Sequence, residues 1–407
     1  MADKTFQIEI TKDTSNTKNN CITFDIKGDA GFGFDKSIIN SIRRTILSSV
    51  DTVSFDVEHG DLQVIKNTSP LHNEFLTHRI GLVPLYIDPL GYEKQYLFHL
   101  KKSVDSEKVV TNVTMNDFQI YPLLEGKEIT MSEDLSIENY DRENPLSQIE
   151  KDKIFRPFEF RGKKNYCLLT ELRANADEEN EIEVYGIPSI TYGYGNSRAS
   201  PVSNCSYFFK KDEEMFQRIL QEKIKIHEIP PEKQEMYEKE LFMEESERYF
   251  HRDDVLDPYW YTMNIDSVHI YSPKELFIEG NEILKNQLNI IKKDIMGEKN
   301  IISLAQKDEN VFVITIQDYD DTIGNLLQSY ISRYLISEES VFSVCGYKRV
   351  HPLERKIQFT ISFNGNNEMF SSSNEQKITA IIELFNESIN SLSLIFDIII
   401  QQAQQSL

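Results

Sequence analysis

Asp318, Asp320 and Asp321 crowd one turn of this 407-residue chain. Grouped carboxylates of this kind can hold a divalent cation for phosphoryl chemistry. They can also do something plainer, capping and charging the N-terminus of the helix that the following Ile/Leu pattern predicts. The plainer reading is preferred, and no metal is assigned. Other chemistry finds no place: the chain has no G-x-x-x-x-G-K-[ST], no H-E-x-x-H and no G-x-S-x-G. Cys21, Cys167, Cys205 and Cys345 stand far apart with no C-x-x-C pair, which argues against both a zinc site and a disulfide framework. No catalytic residue and no cofactor is expected.

The remaining polar candidates suit recognition. Arg43 and Arg44 flank an apolar stripe; they are either solvated charge or planar forks for carboxylates. His78 and Arg79 close a short helix, where cations complement the dipole or meet a partner. Asn40 and Asn325 recur at equivalent places and suit local backbone hydrogen bonds. His351-Pro352 reads as a strand-end turn or a neighbour contact. Gly324 sits where a side chain would crowd a facing helix.

A formal charge of −22 opposes a direct grip on nucleic acid, which needs clustered Lys and Arg, unless a small local patch supplies it. Hydrophobic residues at 40 % provide for packed cores. The start MADKTFQIEI has no basic stretch followed by an apolar run, so no signal peptide is expected, and no apolar stretch is long enough for a membrane span.

These residues need elements to position them. Residues 5–10 and 21–27 alternate as strands, and Gly28, Gly31 and Gly33 mark a turn. A helix follows, capped by Asp35 or Ser37, with Ile38, Ile42, Ile46 and Val50 at every fourth position. Strands are expected at 53–57 and 62–65. Ser69-Pro70 should open a short helix carrying Leu71, Phe75 and Leu76. Strand-like text at 95–101, 109–115, 117–121, 182–184 and 206–209 predicts a β-rich insert. The Glu-rich 210–257 stretch should be helical and exposed. A strand at 260–268 leads to a helix with the capping box Ser272-Pro273-Lys274-Glu275. Residues 296–309 read as a linker. After it come a strand at 311–317, a helix near 321–336, strands at 341–348 and 356–363, and a long last helix begun by Ser373.

The chain repeats itself. Asp35-Lys36-Ser37-Ile38-Ile39-Asn40-Ser41-Ile42 aligns with Asp320-Asp321-Thr322-Ile323-Gly324-Asn325-Leu326-Leu327, and Ile46 then falls on Ile331. Strand, helix, strands and long helix thus occur twice, once around an insertion. A unit this small has little core of its own, so two copies packed through their helices would complete each other's burial. Ile38, Ile42, Ile46, Leu284 and Leu288 of one half would meet Ile323, Gly324, Leu327, Ile331, Phe385, Ile389 and Phe396 of the other.

The first half resembles the third-largest subunit of eukaryotic RNA polymerase II, archaeal D and, more distantly, bacterial alpha. The text that carries it is Asn40-Ser41-Ile42-Arg43-Arg44 and the run from Asn67 to Leu85, NTSPLHNEFLTHRIGLVPL. The last hundred or so residues resemble the eleventh subunit and archaeal L, on Asp321-Thr322-Ile323-Gly324-Asn325-Leu326-Leu327, Cys345-Gly346-Tyr347-Lys348 and His351-Pro352-Leu353. The resemblance implies an α+β fold: two alpha-type dimerisation domains packed as an intramolecular pseudo-dimer. The first would comprise 1–52 and 258–297, interrupted by a β-rich insert at 53–209 and a charged extension at 210–257; the second would be 298–407. It implies a non-catalytic assembly platform of a DNA-directed RNA polymerase. Asn40, Arg43, Arg44, Glu74, His78, Arg79 and His351 would face its partners, the second-largest and largest subunits, with small platform subunits beside them. Relatives carry a Cys-rich zinc loop or an iron–sulfur cluster in the insert; the matching stretch here, 88–115, has no Cys. Large cytoplasmic DNA viruses encode such fusions, and the Asn/Ile/Lys-rich composition fits them. That implies the host cytoplasm and virion, or the nucleus for a cellular gene. The alternative is a free-standing interaction protein that reuses the fold and binds through the acidic 210–257 stretch.

Overall fold

The computed structural model describes residues 7–13, 20–28, 34–105, 109–124, 137–174, 180–254, 256–268, 270–296, 302–308 and 310–407. Gly31 and Gly33 lie outside these. Contact density divides the chain into two compact units. One holds Met1–Ile46, Asn204–Asp266 and Pro273–Leu407, and the other Leu47–Ser203 and Ser267–Ser272.

The first unit opens with an antiparallel pair, β1 (Gln7–Asp13) and β2 (Cys21–Lys27), and then α1 (Lys36–Ser48). Helix α1 starts where it does because the Asp35 carboxylate accepts from the Ser37 and Ile38 amides at 2.9 and 3.3 Å. This satisfies donors that the first turn leaves without partners. Its stripe of Ile38, Ile42 and Ile46 is fully buried.

The second unit runs through β3 (Asp51–Ser54), β4 (Leu62–Asn67), α2 (Asn73–Gly81), β5 (Tyr96–Ser103), β6 (Val110–Thr114) and β7 (Phe118–Pro122). It continues with α3 (Gln148–Phe155), β8 (Phe158–Phe160), β9 (Lys163–Asn165), β10 (Leu168–Arg173), β11 (Glu181–Gly186) and β12 (Ser189–Tyr192). Its main sheet has the order β4-β11-β5-β7, with the ribbons β10-β6, β12-β3 and β8-β9 beside it. Phe98 is the hub of its core, edge-on to Phe55, Phe118 and Phe155 at 5.3, 6.1 and 6.0 Å; such pairs add to plain area burial. Ser69-Pro70 does not open α2. The cap is His72, whose ring accepts from the Glu74 amide at 3.5 Å, while Asn67 ties the preceding loop to the Leu71 carbonyl at 2.8 Å. Phe75, expected among the helix's apolar residues, is 68 % exposed, whereas Leu76 is buried. Helix α3, outside the expected elements, opens on a capping box of Ser147 with Glu150.

The first unit resumes with β13 (Val202–Phe209), α4 (Glu213–Ile226), α5 (Pro231–Glu245), β14 (Trp260–Ser267) and α6 (Pro273–Met296). Then come β15 (Ile302–Asp308), β16 (Val311–Gln317), α7 (Asp321–Tyr330), β17 (Phe342–Arg349), β18 (Lys356–Phe363) and α8 (Asn374–Ser406). Two boundaries differ from the expected ones. Residues 206–209, read as insert, belong to β13, which borders β14 at the edge of the first sheet. Within the expected linker, β15 pairs with β16 from Ile302 to Asp308; polar composition hid it because an edge strand does not need an apolar outer face. The Glu-rich extension forms α4 and α5 around a small core of Phe216, Leu220 and Leu241.

The duplication is one of topology. The first sheet has the order β1-β2-β14-β13 and the second β15-β16-β18-β17, so each half adds its strands in the same sequence. In each half an edge-on aromatic pair pins the long helix to the sheet: Phe24 with Phe277 at 4.9 Å, and Phe359 with Phe385 at 5.3 Å.

Two glycines mark close approaches. A methyl group on Gly280 of α6 would run into the Ile46 side chain of α1, at 2.7 Å. One on Gly324 would strike the Tyr347 ring of β17. That corrects the expected reason for Gly324, which makes room for its own half's sheet and not for a facing helix. Gly324→Ala should therefore lose stability, by about 1–3 kcal/mol from overpacking, despite gaining about 1 kcal/mol of helix propensity; thermal denaturation measures the balance.

Burial pushes the thiols of Cys205 and Cys345 up to about 12, while Cys167 is exposed. Since thiolate is the reactive form, iodoacetamide at mildly alkaline pH should modify Cys167 in the folded chain. Cys205 and Cys345 should react only after denaturation, as peptide mapping would report.

Candidate docking site at the seam of the duplicated halves

The halves meet inside the first unit. Helices α6 and α8 lie side by side. Their cross-links are Lys274 to the Gln404 carbonyl at 3.3 Å, Lys285 with Asp397, and Lys292 to Asn390 at 2.6 Å. Partners descend along α8 as they ascend along α6, so the helices are antiparallel. Leu284, Leu288 and Ile291 on one, and Phe385, Ile389, Leu392 and Phe396 on the other, are fully buried. Exposed pairs such as Lys285–Asp397 set register more than stability, at about 0–1 kcal/mol each.

Helices α1 and α7 make the second part of the seam, the N-terminal end of each against later turns of the other, and the repeat explains this symmetry. Asp320 caps α7 as Asp35 caps α1, accepting from the Thr322 amide at 2.9 Å. Thr322 then receives Arg44 Nε at 2.9 Å, and its carbonyl accepts from the Ser41 hydroxyl at 3.3 Å. Arg44 also reaches Asp320 at 3.5 Å. From the other side, Ser329 donates to Asp35.

Arg333, in the turn that ends α7, is the densest knot. It meets Asp257 at 2.7 Å, Asp253 at 3.4 Å and Asp35 at 3.7 Å. These three carboxylates come from the first half and from two separate stretches of it. The Asp35 side chain is only 4 % exposed and Arg333 only 21 %, so this cluster sits where charge pairing is poorly screened. Burial also pushes the neighbouring Tyr334 phenol up to about 12.

Between α1 and α7 lies a polar cleft of about 300 Å³, lined by Lys36, Asn40, Arg44, Tyr207, Asn325 and Gln328 among others. Asn40 is held by Arg43, whose Nε donates to its side-chain oxygen at 3.1 Å. Burial raises the Tyr207 phenol, and the Arg43 guanidinium opposes that rise. Fixed amide and guanidinium N–H groups in a half-buried cleft can donate to carboxylates or backbone carbonyls of another chain.

The expected site residues divide among several places. Asn40, Arg43 and Arg44 are half-buried; Asn40 and Arg44 line this cleft, Arg43 stands behind Asn40, and Arg44 is engaged across the seam. The expected backbone bond is made by Asn325, to the Asp321 carbonyl at 3.0 Å, whereas Asn40 is bonded to a side chain. Glu74, His78 and Arg79 are exposed on α2, in the other unit. His351 is exposed in a turn, where its ring accepts from the Leu353 amide at 3.2 Å. All of Ile38, Ile42, Ile46, Ile323, Gly324, Leu327, Ile331, Leu284, Leu288, Phe385, Ile389 and Phe396 are buried. Arg333, Asp253, Asp257 and Gly280 escaped sequence reading; only Asp35, through its alignment with Asp320, left a signal. No cluster of His, Cys, Asp and Glu among the described residues could hold a metal ion, and no described helix is long and apolar enough to cross a membrane.

Comparison with known proteins agrees with this duplication. Residues 32–288 match the family described as the RNA polymerase Rpb3/Rpb11 dimerisation domain, and residues 312–402 match a second model of the same description. The chain is similar to the DNA-directed RNA polymerase II subunit RPB3 of Schizosaccharomyces pombe, 22 % identical over 276 residues that cover 65 % of this chain and 81 % of the relative. It is similar to RPAC1 of RNA polymerases I and III from Saccharomyces cerevisiae, 25 % identical over 292 residues, 63 % and 81 % of the two chains. Rpo3 of the archaeon Pyrobaculum calidifontis is 42 % identical over 53 residues, 13 % of this chain and 19 % of the relative.

Proposed function

This chain belongs to the RNA polymerase Rpb3/Rpb11 dimerisation-domain family, and on that premise we propose that it does in one molecule what a pair of assembly subunits does in two. It is a non-catalytic assembly subunit of a DNA-directed RNA polymerase, with other polymerase subunits as its partners. The reading of fusion is carried by one observation: two halves of identical strand order meet through α6 against α8 and through hydrogen bonds between α1 and α7. A covalent link makes pairing intramolecular, with an effective concentration far above that of free chains. The platform so formed nucleates the two large catalytic subunits. Asn40 and Arg43 at the seam cleft, with His351, Glu74, His78 and Arg79, are the contacts proposed for them and for small platform subunits. Arg44 contributes by holding the cleft in shape. A viral source, with assembly in the host cytoplasm, is part of the same proposal and rests on composition.

A tagged chain expressed with its polymerase should recover both large subunits in equal amounts. Asn40→Ala combined with Arg43→Glu should lose them while the chain's melting temperature stays unchanged. Recovery of the chain without large subunits, or full recovery by the double variant, would refute the proposed platform role or its contacts respectively.

A further inference from the structure

The second unit carries a groove that the seam does not use. It has a volume of about 400 Å³ and lies between the end of α2, the end of α3, β8 and the start of β10. Its floor is apolar and closed, with Met115 1 % and Phe155 8 % exposed. Its walls are apolar and open: Leu82 is 64 %, Phe158 61 % and Leu168 39 % exposed. Phe75, one helical turn before Arg79 on α2, is a further exposed apolar side chain, at 68 % exposure. Contiguous apolar surface of this kind on a folded domain marks a binding site more often than chance exposure.

The charge around the groove says what it binds. Arg79 and Arg156 line it, and no Asp or Glu does. Arg79 donates to the Leu168 carbonyl at 2.9 Å, and Arg156 lies over the Tyr86 ring at 3.9 Å. Neither has a carboxylate partner among the described residues. In a chain of net charge −22, two guanidinium groups left without acids beside one apolar groove are a local reversal of sign. Arginine with aromatic and methionine side chains is also the composition of protein-binding hot spots. A nucleic acid fits less well: it needs successive stacking faces along a basic track, and apart from Phe158 and Tyr166 the walls are the aliphatic Leu82, Val83, Pro84 and Leu168, with only two arginines.

We infer that this groove docks an acidic polypeptide segment of another chain, seating an aromatic or aliphatic anchor between Leu82, Phe158 and Leu168 while Asp or Glu beside the anchor pairs with Arg79 and Arg156. The inference shares Arg79 with the contacts proposed above and deepens that reading for the second unit, but it does not rest on the seam, because every residue it uses lies in the second unit.

Cys167 lines the groove and is exposed, so it reports occupancy. The probe is a short fluorescent peptide with Phe and Leu set among Glu and Asp, titrated into the full chain and followed by anisotropy. The controls are the same peptide with Lys for each acid, and an oligothymidine. The acidic peptide should bind in the micromolar range, slow the alkylation of Cys167, and bind more weakly as salt rises. Leu82→Ser with Phe158→Ser should weaken binding about tenfold or more. Arg156→Gln should weaken it roughly threefold and flatten the salt dependence. Should the apolar double variant melt early, Arg156→Gln and thiol protection carry the test. No binding by the acidic peptide, equal binding by the Lys peptide, binding that these substitutions leave untouched, or oligothymidine binding that they abolish would each overturn the inference.

Discussion

Ile42→Asp should prevent the first unit from folding stably, and with it the assembly of the polymerase. Ile42 is fully buried in the middle of the α1 stripe, between Ile38 and Ile46, which are buried as well. A carboxylate placed there has no cation of its own to meet, and an unpaired buried charge costs about 3–5 kcal/mol even after relaxation. Whole domains are stable by about 5–15 kcal/mol, so a large part of the margin goes. Leu327→Asp, at the aligned position of α7 and equally buried, should do the same from the other half. Ile42→Val, losing one methylene, should cost only about 0.5–1.5 kcal/mol and leave assembly intact. Thermal denaturation of the isolated chain and recovery of large subunits by the tagged chain are the two measurements. Wild-type melting and full recovery by Ile42→Asp would mean that the duplicated helices do not form the core described above.

Arg333→Leu should be nearly as damaging, for the opposite electrostatic reason. The substitution keeps apolar bulk and removes the cation that Asp35, Asp253 and Asp257 share. Taking one partner from a poorly solvated pair leaves charge uncompensated, at about 3–5 kcal/mol. Here the discount for exposure is modest at Asp35, whose side chain is 4 % exposed, and larger at Asp257, at 30 %. Asp35 keeps its cap bonds to the Ser37 and Ile38 amides, so α1 itself should persist and the loss should fall on the joint between halves. Adding Asp257→Asn to Arg333→Leu should recover part of the stability by removing a like charge. A denaturant titration of both variants checks this: if the single substitution shifts the midpoint no further than an ordinary surface change, the cluster contributes little.

Much of the architecture is legible one residue at a time. The periodic Ile and Leu positions of α1, α7 and α8 announce both helix and buried face, because side chains three or four apart share one side. The caps at Asp35, Asp320 and Ser373 announce where those helices begin, and the alignment of Asp35 with Asp320 announces that one joint serves two halves. The misses have physical causes of their own. Ser69-Pro70 is as good a turn as a helix start, and Asn67 decides for the turn through hydrogen bonds to the following loop. The edge strand β15 was read as a linker because pairing on one side alone demands little of its composition. Gly324 declares by its size that something is close without declaring that the neighbour is Tyr347.

Local grammar is thus what the amino-acid order determined alone: which segments coil or extend, which faces are greasy, that the pattern occurs twice, and that no familiar catalytic signature accompanies it. Each of those is set by residues within a turn or two of one another. Tertiary structure alone decided that Arg333 gathers three acids, that Ser329 finds Asp35 from 294 positions away, that α6 and α8 run antiparallel, and that two arginines rim an apolar groove. Such matches depend on where distant segments come to rest in space, and charge or size at a single position is compatible with many destinations until packing selects one.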